Sequence, residues 1–402
     1  MNNNYNHPLS FTSQFSFCGL PLRLDTYSGC AFNCKYCFSN SRNGNFNNKK
    51  VRTISPPKLI NKIDNAIKNI KSSTGLLSQC LRHRMPIHFG GMSDPFQPME
   101  MKTKASYHIL EYLSSIDYPL IISTKSTLLQ EKNYLKLLSN YKNVIIQISF
   151  STLNPRAAKI VEPNCDSPIA RVKLIRKLSE NGIKTMIRWQ PFIIGFSESP
   201  SEFVKNILNS GAKHLIVEFL KLSIDRKINW KSNNVVLNNI NEYYKRNGCN
   251  LIGRELILPA KLKLKTIDLL KNELKDTSIT LGVADNEIQY YSDTKCCCGI
   301  DKYEGFENWH KHQINYAIIN SKTDLIKYDV IKREWKPTGS IDKFINSKSR
   351  IRKKSTNSLS DYIIDRWQNL DSDFNPTKIY GVLDTGFHDK EGFRIFKSQA
   401  KK

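Results

Sequence analysis

Six short apolar segments, separated by stretches of helical periodicity, constrain what this 402-residue chain can fold into. Buried-strand patterns cover residues 20–25, 86–90, 119–124, 144–150, 183–189 and 213–219. Apolar residues recur at helical spacing over residues 57–70, 104–115, 131–141, 169–181 and 201–210. Because strands that alternate with helices pair in parallel through right-handed crossovers, the pattern predicts an α/β fold with a parallel sheet. A helix at 260–274 and a strand at 278–283 would form a final unit.

Three cysteines follow the first predicted strand closely. Cys30, Cys34 and Cys37 have the spacing C-x3-C-x2-C, and Tyr36 precedes the last of them. Three thiolates on one short loop can hold three irons of a [4Fe-4S] cluster and leave the fourth iron open to a small molecule. A zinc loop is the alternative, but it would need a nearby fourth ligand, and His7 is the only histidine before His83.

This cysteine pattern resembles the signature of the radical S-adenosylmethionine (SAM) superfamily, C-x3-C-x-aromatic-C. The resemblance implies a partial (β/α)6 TIM-type barrel, which suits the six predicted units. It also implies that Cys30, Cys34 and Cys37 hold the cluster, that SAM chelates the open iron, and that Tyr36 flanks the adenine. Since barrel chemistry occurs at the carboxyl ends of the strands, the cysteine loop falls on the expected face.

Motifs at later strand ends extend the resemblance to one branch of the superfamily. The run Gly-Gly-x-Ser-Asp-Pro-Phe-Gln-Pro begins at Gly90 and is similar to DNA-repair-photolyase-like proteins related to spore photoproduct lyase. The resemblance implies that Gly90 and Gly91 face the amino group of SAM, and that Lys125 and Ser149 contact its carboxylate and ribose. A downstream Glu-Pro…Ser-Pro…Arg run implies that Arg171 lies on the active face, where it could grip a carboxylate bidentately.

The lyase family also needs a hydrogen donor, and here the chain departs from the pattern. In that family a cysteine near the second strand end quenches the product radical, whereas residues 92–94 of this chain read Met-Ser-Asp. Cys165, on the loop after the fourth strand, is the nearest candidate by topology. An ordinary loop thiol is the alternative.

Arg188 lies inside a predicted strand of the barrel. It either points inward as a ligand or pairs with Glu162 or Glu218.

A second group of cysteines lies beyond the predicted barrel. Adjacent side chains diverge, so Cys296, Cys297 and Cys298 cannot all be expected to reach one metal. Two of them could bind a second iron–sulfur cluster or a zinc ion, joined by His310, His312 or Cys249. The alternative is a structural turn with partly buried thiols.

The charge balance favours a polyanionic partner. Lys and Arg number 61 against 36 Asp and Glu, a formal net charge of +25. Such a surface attracts nucleic acid, and the basic run 342–354 could follow a phosphate backbone or be a solvated tail. An AT-rich coding bias towards Lys, Asn and Ile is the alternative source of the charge.

The predicted organisation is an N-terminal lead (1–19), a radical SAM barrel (20–285) and a Cys-containing, basic C-terminal extension (286–402). The absence of a signal-peptide pattern and of an apolar stretch of about 18 residues predicts a cytoplasmic protein without membrane spans, its ten cysteines reduced.

Three functional hypotheses follow. The first is a radical SAM enzyme that acts on nucleic acid, by lyase-like DNA repair or base modification, with an electron donor such as flavodoxin or ferredoxin. The second is radical SAM modification of a peptide or small molecule, with an auxiliary cluster at Cys296–Cys298. The third is an iron–sulfur or zinc protein that binds nucleic acid without turnover.

Overall fold

Eight of the strands form one mainly parallel sheet. A computed structural model of the chain describes residues 5, 7–12, 18, 20, 22–41, 51–223, 235–253, 255–306, 311, 314–319, 321, 323–335 and 358–398. The strands are β1 (Leu9–Phe11), β2 (Leu22–Leu24), β3 (Tyr27–Ser28), β4 (Arg52–Thr53), β5 (Ile87–Phe89), β6 (Leu120–Thr124), β7 (Val144–Phe150), β8 (Lys184–Phe192), β9 (His214–Phe219), β10 (Leu222–Ser223), β11 (Asn250–Ile252), β12 (Glu255–Ile257), β13 (Thr280–Val283), β14 (Leu325–Ile326), β15 (Leu383–His388) and β16 (Arg394–Lys397).

The helices alternate with the strands of the sheet. They are α1 (Pro56–Lys68), α2 (Leu76–Arg82), α3 (Pro98–Thr103), α4 (Ala105–Ser115), α5 (Lys132–Ser139), α6 (Pro155–Val161), α7 (Pro168–Glu180), α8 (Pro200–Ile207), α9 (Val235–Arg246), α10 (Ala260–Leu274), α11 (Ile314–Ile319), α12 (Asp329–Glu334), α13 (Leu359–Gln368) and α14 (Pro376–Ile379).

The strand order is β1-β2-β5-β6-β7-β8-β9-β13. β1 runs antiparallel to β2, and every later neighbour in the sheet is parallel. Among the described strands the two ends of this order do not pair with each other, so the barrel stays open. The predicted partial TIM-type barrel is confirmed, and β13 with α10 supplies the predicted final unit.

Several described elements were not predicted, among them β1, the short helices α2, α3 and α6, and the twelve-residue helix α9. β1 forms within the predicted irregular lead, because Leu9 to Phe11 pair with the outer edge of β2. α2, α3 and α6 have only seven, six and seven residues, which is too short to show a helical period in the sequence.

Alternation along the strands gives the sheet two different faces. One set of side chains lies in the large core shared with the helices; it includes Ile122, Ile146, Ile187 and Leu215. The alternate set forms a separate buried group with Cys296 and Cys298; it includes Ile121, Ile145, Met186 and Ile216. Since successive side chains of a strand point to opposite faces, this second group lines the concave face, called the lumen below.

The described part of the C-terminal region packs onto the barrel. Tyr328, Trp367 and Phe396 belong to the same buried core as the barrel strands, and β14, β16 and β15 form a small antiparallel sheet. A capping box between Ser358 and Asp361 starts α13, close to the helix predicted at 360–370. The basic run 342–354 lies outside the described residues. Among the helices that the structure describes, none is long and apolar enough to cross a bilayer.

Candidate active site

The cysteine loop lies at the carboxyl edge of β2 and is held by Gln97. The Gln97 side chain accepts a hydrogen bond from the Ala31 amide (2.8 Å) and donates one to the Gly29 carbonyl (3.0 Å). Cys34 is buried, while Cys30 and Cys37 are half-buried, and none of them forms a disulfide. Burial raises the pKa of the Cys30 thiol, with further contributions from Asp94 and Cys34.

The side chains of Cys30, Cys34 and Cys37 are chemically suited to bind a [4Fe-4S] cluster. The loop offers three thiols within eight residues, and thiolates are the ligands such clusters take. In the part of the chain that the structure describes, no three His, Cys, Asp or Glu side chains already surround one point. The match therefore lies in the chemistry and spacing of the ligands rather than in a preassembled cage.

Glu162 is the centre of the polar network beside this loop. Its carboxylate accepts hydrogen bonds from the Tyr36 hydroxyl and from Arg171 (2.6 Å), and Lys125 lies 3.3 Å away. Burial alone would raise the pKa of Glu162, but the charges of Arg171 and Lys125 outweigh it and lower the pKa to about 2. Glu162 is therefore ionised at neutral pH, and it brings together side chains from the cysteine loop, the end of β6 and helix α7.

The two cations of this network differ in access to solvent. The Arg171 side chain is completely buried, and its guanidinium contacts Glu162 and the Ser149 carbonyl. The Lys125 side chain keeps 13% of its surface exposed, and its ammonium also lies 5.8 Å from the centre of the Tyr36 ring. Lys125 is thus the cation that a ligand can reach, whereas Arg171 lies behind Glu162. The sequence missed this central role of Glu162, although its Glu-Pro pair was part of the recognised run.

The two glycines after β5 are required by close packing. Gly90 has φ +93°, and a Cβ there would lie 2.6 Å from the Ser123 carbonyl oxygen. A Cβ on Gly91 would lie 2.6 Å from Cδ of Arg23. Both distances are far below van der Waals contact, so no larger residue fits either position without a shift of the backbone or of Arg23.

Asp94 joins this loop to the next strand end. Its carboxylate accepts hydrogen bonds from the Lys125 amide (2.7 Å) and from the Thr124 hydroxyl (2.8 Å). Burial raises the pKa of Asp94 to about 6 despite these donors. Asp94 therefore fixes the backbone that carries Lys125, which sequence reasoning did not foresee.

A belt of polar side chains crosses the lumen below these strand ends. His88 contacts the Ser123 hydroxyl (2.8 Å), and Ser123 donates to Gln147 (3.0 Å). Arg188 also donates to Gln147 (3.0 Å) and to Gln190 (2.8 Å). Arg188 therefore points inward, and in the described part of the chain it forms no ion pair with Glu162 or Glu218.

The belt continues to β9. Gln190 donates to Glu218, and Glu218 pairs with Lys221 at 2.6 Å. All three side chains are half-buried, so the lumen is accessible near β8 and β9.

Cys165 lies against the cysteine loop. Its sulfur is 3.6 Å from that of Cys34, across 131 residues of sequence. The contact with Cys34, together with burial, raises the pKa of the Cys165 thiol. The loop that follows β7, the fourth predicted strand, thus brings Cys165 to the cysteine loop.

The structure does not support a second metal site at Cys296–Cys298. No group of three or more His, Cys, Asp or Glu side chains in the described residues could hold a metal there. Cys249 packs in a different apolar cluster, and its thiol donates to the Tyr244 carbonyl. His310 and His312 lie outside the described residues.

The three cysteines instead line the lumen floor. A hydrogen bond links the His214 ring to the Cys297 carbonyl (2.8 Å), and the Cys297 and Cys298 sulfurs are 3.8 Å apart. The Cys297 thiol, assisted by the charge of Arg188, lowers the pKa of Cys298 to about 7.

Comparisons with known proteins agree with this arrangement. The family model described as the radical SAM superfamily matches residues 24–207. Protein ORF301 of Acidianus two-tailed virus is 31% identical over 134 residues, which are 33% of this chain and 41% of that protein. The chain thus spans about two fifths of the length of this curated relative.

Two solved structures of spore photoproduct lyase share the fold. A variant with one cysteine replaced by serine is 16% identical, with a TM-score of 0.51 over 69% of this chain and 80% of that one. A double variant with bound AdoMet and dinucleoside spore photoproduct is 15% identical, with a TM-score of 0.52 over 68% of this chain and 78% of that one. At this identity the likeness concerns the fold. Residues 24–207 therefore form a radical SAM enzyme domain, and the chain has the fold of spore photoproduct lyase.

Proposed function

We propose that this chain holds a [4Fe-4S] cluster through Cys30, Cys34 and Cys37, binds SAM at the open iron, and acts on nucleic acid. Once bound, the reduced cluster and SAM would supply reductive cleavage of the S–C5′ bond of SAM, which would give methionine and a 5′-deoxyadenosyl radical. The observation that carries the proposal is the three-thiol loop at the carboxyl edge of an open barrel, beside the Tyr36–Glu162–Lys125 network.

The chain's own residues would bind and orient SAM. Lys125 offers a partly exposed ammonium for a carboxylate, and Ser149 a half-buried hydroxyl for a ribose. The backbone at Gly90 and Gly91 would face the amino group, and Tyr36 would flank the adenine. Tyr36 and Lys125 come from different strand ends, and Glu162 holds both of them in place.

Arg171 would act through Glu162 rather than on SAM directly. Its guanidinium is buried and already engaged by Glu162 and the Ser149 carbonyl. It therefore keeps Glu162 ionised and fixed, and Glu162 in turn orients Lys125. We therefore assign Arg171 as a positioning residue. The resemblance implied instead that Arg171 binds the carboxylate of a ligand.

Nucleic acid is the substrate class that the charge favours. The formal net charge of +25 would steer a polyanion to the surface. One spore photoproduct lyase structure was solved with a dinucleoside spore photoproduct, a nucleic-acid lesion. In a lyase-like reaction Cys165 would be the hydrogen donor, since its thiol contacts the cluster loop and is not one of the three proposed ligands.

The setting of the reaction is also proposed. None of the ten cysteines forms a disulfide, which fits a reducing compartment such as the cytoplasm. An external one-electron donor such as flavodoxin or ferredoxin would reduce the cluster. Residues 20–285 would form the catalytic barrel, between the lead 1–19 and the extension 286–402.

The test is anaerobic incubation of reconstituted protein with SAM, dithionite and UV-irradiated DNA, followed by mass spectrometry. We expect 5′-deoxyadenosine from the wild type and none from Cys34→Ala. Cys249→Ala is the matched control, because Cys249 is likewise a free cysteine shielded in part from solvent but packs in another apolar cluster. This control should keep both iron and 5′-deoxyadenosine formation.

The products separate the hypotheses. Loss of the thymine spore photoproduct, abolished by Cys165→Ala with 5′-deoxyadenosine still formed, would establish repair with Cys165 as donor. Formation of 5′-deoxyadenosine with every lesion intact would turn the search to undamaged nucleic acids or to peptides. No 5′-deoxyadenosine from a protein that holds about four irons would leave the non-catalytic binding hypothesis.

A further inference from the structure

A groove between α5 and α7 has basic and neutral side chains along its walls. It has a volume of about 400 Å³. Its lining consists of Gln130, Lys132, Leu135, Lys136, Ser139, Lys177 and Asn181, and contains no acidic side chain. Glu131 precedes α5 and Glu180 ends α7, so the acids of these two helices lie at their ends.

The cations around this groove are not neutralised by neighbours. Lys132, Lys136, Lys173, Arg176 and Lys177 are all exposed, and within the described residues none of them lies at ion-pair distance from a carboxylate. Three of these cations, Lys132, Lys136 and Lys177, line the groove, and Lys173 and Arg176 lie on α7 with Lys177. Their charges therefore add up to a local positive potential that attracts an anion.

One lining residue of the groove is close along the chain to the proposed active site. Gln130, which lies just before α5, is five residues after Lys125. The rim loop between them is tied down at Thr127, whose hydroxyl donates to Asp166 (2.9 Å) beside Cys165. Lys177 donates a hydrogen bond to the Gln130 carbonyl (3.1 Å), which joins this loop to the α7 wall of the groove.

The spacing of the charges suits a repeating polyanion. Lys132 and Lys136 are one helical turn apart, about 6 Å along the axis of α5. One nucleic-acid strand carries a phosphate about every 3.4 Å along a duplex axis, so two lysines about 6 Å apart can each contact a different phosphate of one strand.

We propose that the α5–α7 groove binds the sugar–phosphate backbone of a nucleic acid that the barrel mouth engages. This inference rests on the proposed function for the identity of the partner and adds to it a surface outside the barrel. Asn181, Gln130 and Ser139 would supply neutral hydrogen-bonding groups between the lysines. Such contacts hold the polymer in register without reading its sequence.

The test compares two double charge reversals in the reconstituted full-length protein. Lys132→Glu with Lys136→Glu changes the groove, and Lys58→Glu with Lys62→Glu is the matched control. The control pair is exposed, has the same helical spacing, lies on α1 and causes the same change in net charge. Binding of a short fluorescein-labelled duplex DNA is measured by fluorescence anisotropy over a series of salt concentrations, without SAM.

The groove pair should weaken binding about tenfold at moderate salt and reduce the slope of log affinity against log salt by about 1.8, since each lost phosphate contact accounts for about 0.9. The α1 pair should change affinity less than about threefold. Equal losses from both pairs, or no loss from the groove pair, would overturn the inference. The inference would also be overturned if the groove pair weakened binding of a labelled poly-glutamate peptide but left binding of the duplex unchanged.

Both variants are also assayed for 5′-deoxyadenosine formation from SAM without DNA. If the wild type forms none, the proposed chemistry fails, and the binding comparison still decides the groove. If the groove variant keeps wild-type SAM cleavage and circular dichroism while it loses DNA affinity, the loss belongs to the surface and not to folding or to the cofactor site.

Discussion

Glu162→Gln should destabilise the protein strongly, because it removes the carboxylate shared by Arg171, Lys125 and Tyr36. The pKa of Glu162 lies at about 2, compared with an ordinary value of 4.5. At about 1.4 kcal/mol for each pKa unit, this difference corresponds to about 3 kcal/mol at neutral pH. An independent estimate comes from Arg171, whose completely buried guanidinium would lose its counter-charge, at a cost of about 3–5 kcal/mol.

The assay is urea-induced unfolding of the cluster-free protein, followed by circular dichroism. We expect Glu162→Gln to lower the free energy of unfolding by about 3 kcal/mol at pH 7. Glu180→Gln is the matched control, since Glu180 is exposed at the end of α7, and it should change that free energy by less than about 0.5 kcal/mol. The double variant Glu162→Gln with Arg171→Met should recover part of the loss, because it removes the completely buried guanidinium, while the partly exposed Lys125 still lacks its counter-charge.

The pH dependence follows from the sign of the pKa difference. Folding lowers the pKa of Glu162, so its stabilisation is complete above about pH 4.5 and is lost as the pH falls towards 2. The stability difference between wild type and Glu162→Gln should therefore shrink in that window. A loss below about 1 kcal/mol at pH 7, or a difference that grows with acid, would refute the reasoning that Glu162 is the ionised centre of the network.

Three further predictions concern neighbouring parts of the site. In urea titrations, Gly90→Ala should lower the free energy of unfolding by at least about 1 kcal/mol more than Gly182→Ala. Both glycines have positive φ, but of the two only Gly90 has neighbours within 4 Å of a new Cβ. Equal losses would contradict the packing argument. Burial and nearby arginines lower the pKa of His88 to about 3, so this ring should stay neutral in NMR titrations down to pH 5. The contribution of His88 to the stability of the fold should fall as the pH drops below about 6.5. A titration midpoint near 6.5 would disprove this. Diamide should oxidise the cluster-free protein to form a Cys34–Cys165 disulfide, detected by peptide mapping, because the two sulfurs are 3.6 Å apart. Cys165→Ser should abolish this disulfide. A disulfide between Cys34 and another cysteine would show that Cys34 and Cys165 are not in contact.

Much of the barrel could be predicted from local sequence because its signals are local. The strand predicted at 144–150 has the observed bounds of β7, and the helix predicted at 169–181 differs from α7 by one residue at each end. A long apolar run and the proline or glycine that ends it lie within a few residues of each other in the sequence, so together they identify one strand or helix. Short elements carry too few residues for such a signal, which is why β1 and α6 escaped prediction.

The site divides in the same way. The spacing of Cys30, Cys34 and Cys37 is a property of one loop, so the sequence alone determined the candidate cluster ligands and the superfamily they resemble. The partners of Glu162 come from the cysteine loop, the end of β6 and helix α7, and no local pattern in the sequence shows that Arg171 is buried behind Glu162. Only the tertiary structure decided that Lys125 remains accessible, that Cys165 touches Cys34, and that Cys296–Cys298 close the lumen floor. Burial and pairing depend on residues brought together from distant parts of the chain, and the order of residues along the chain does not state those distances.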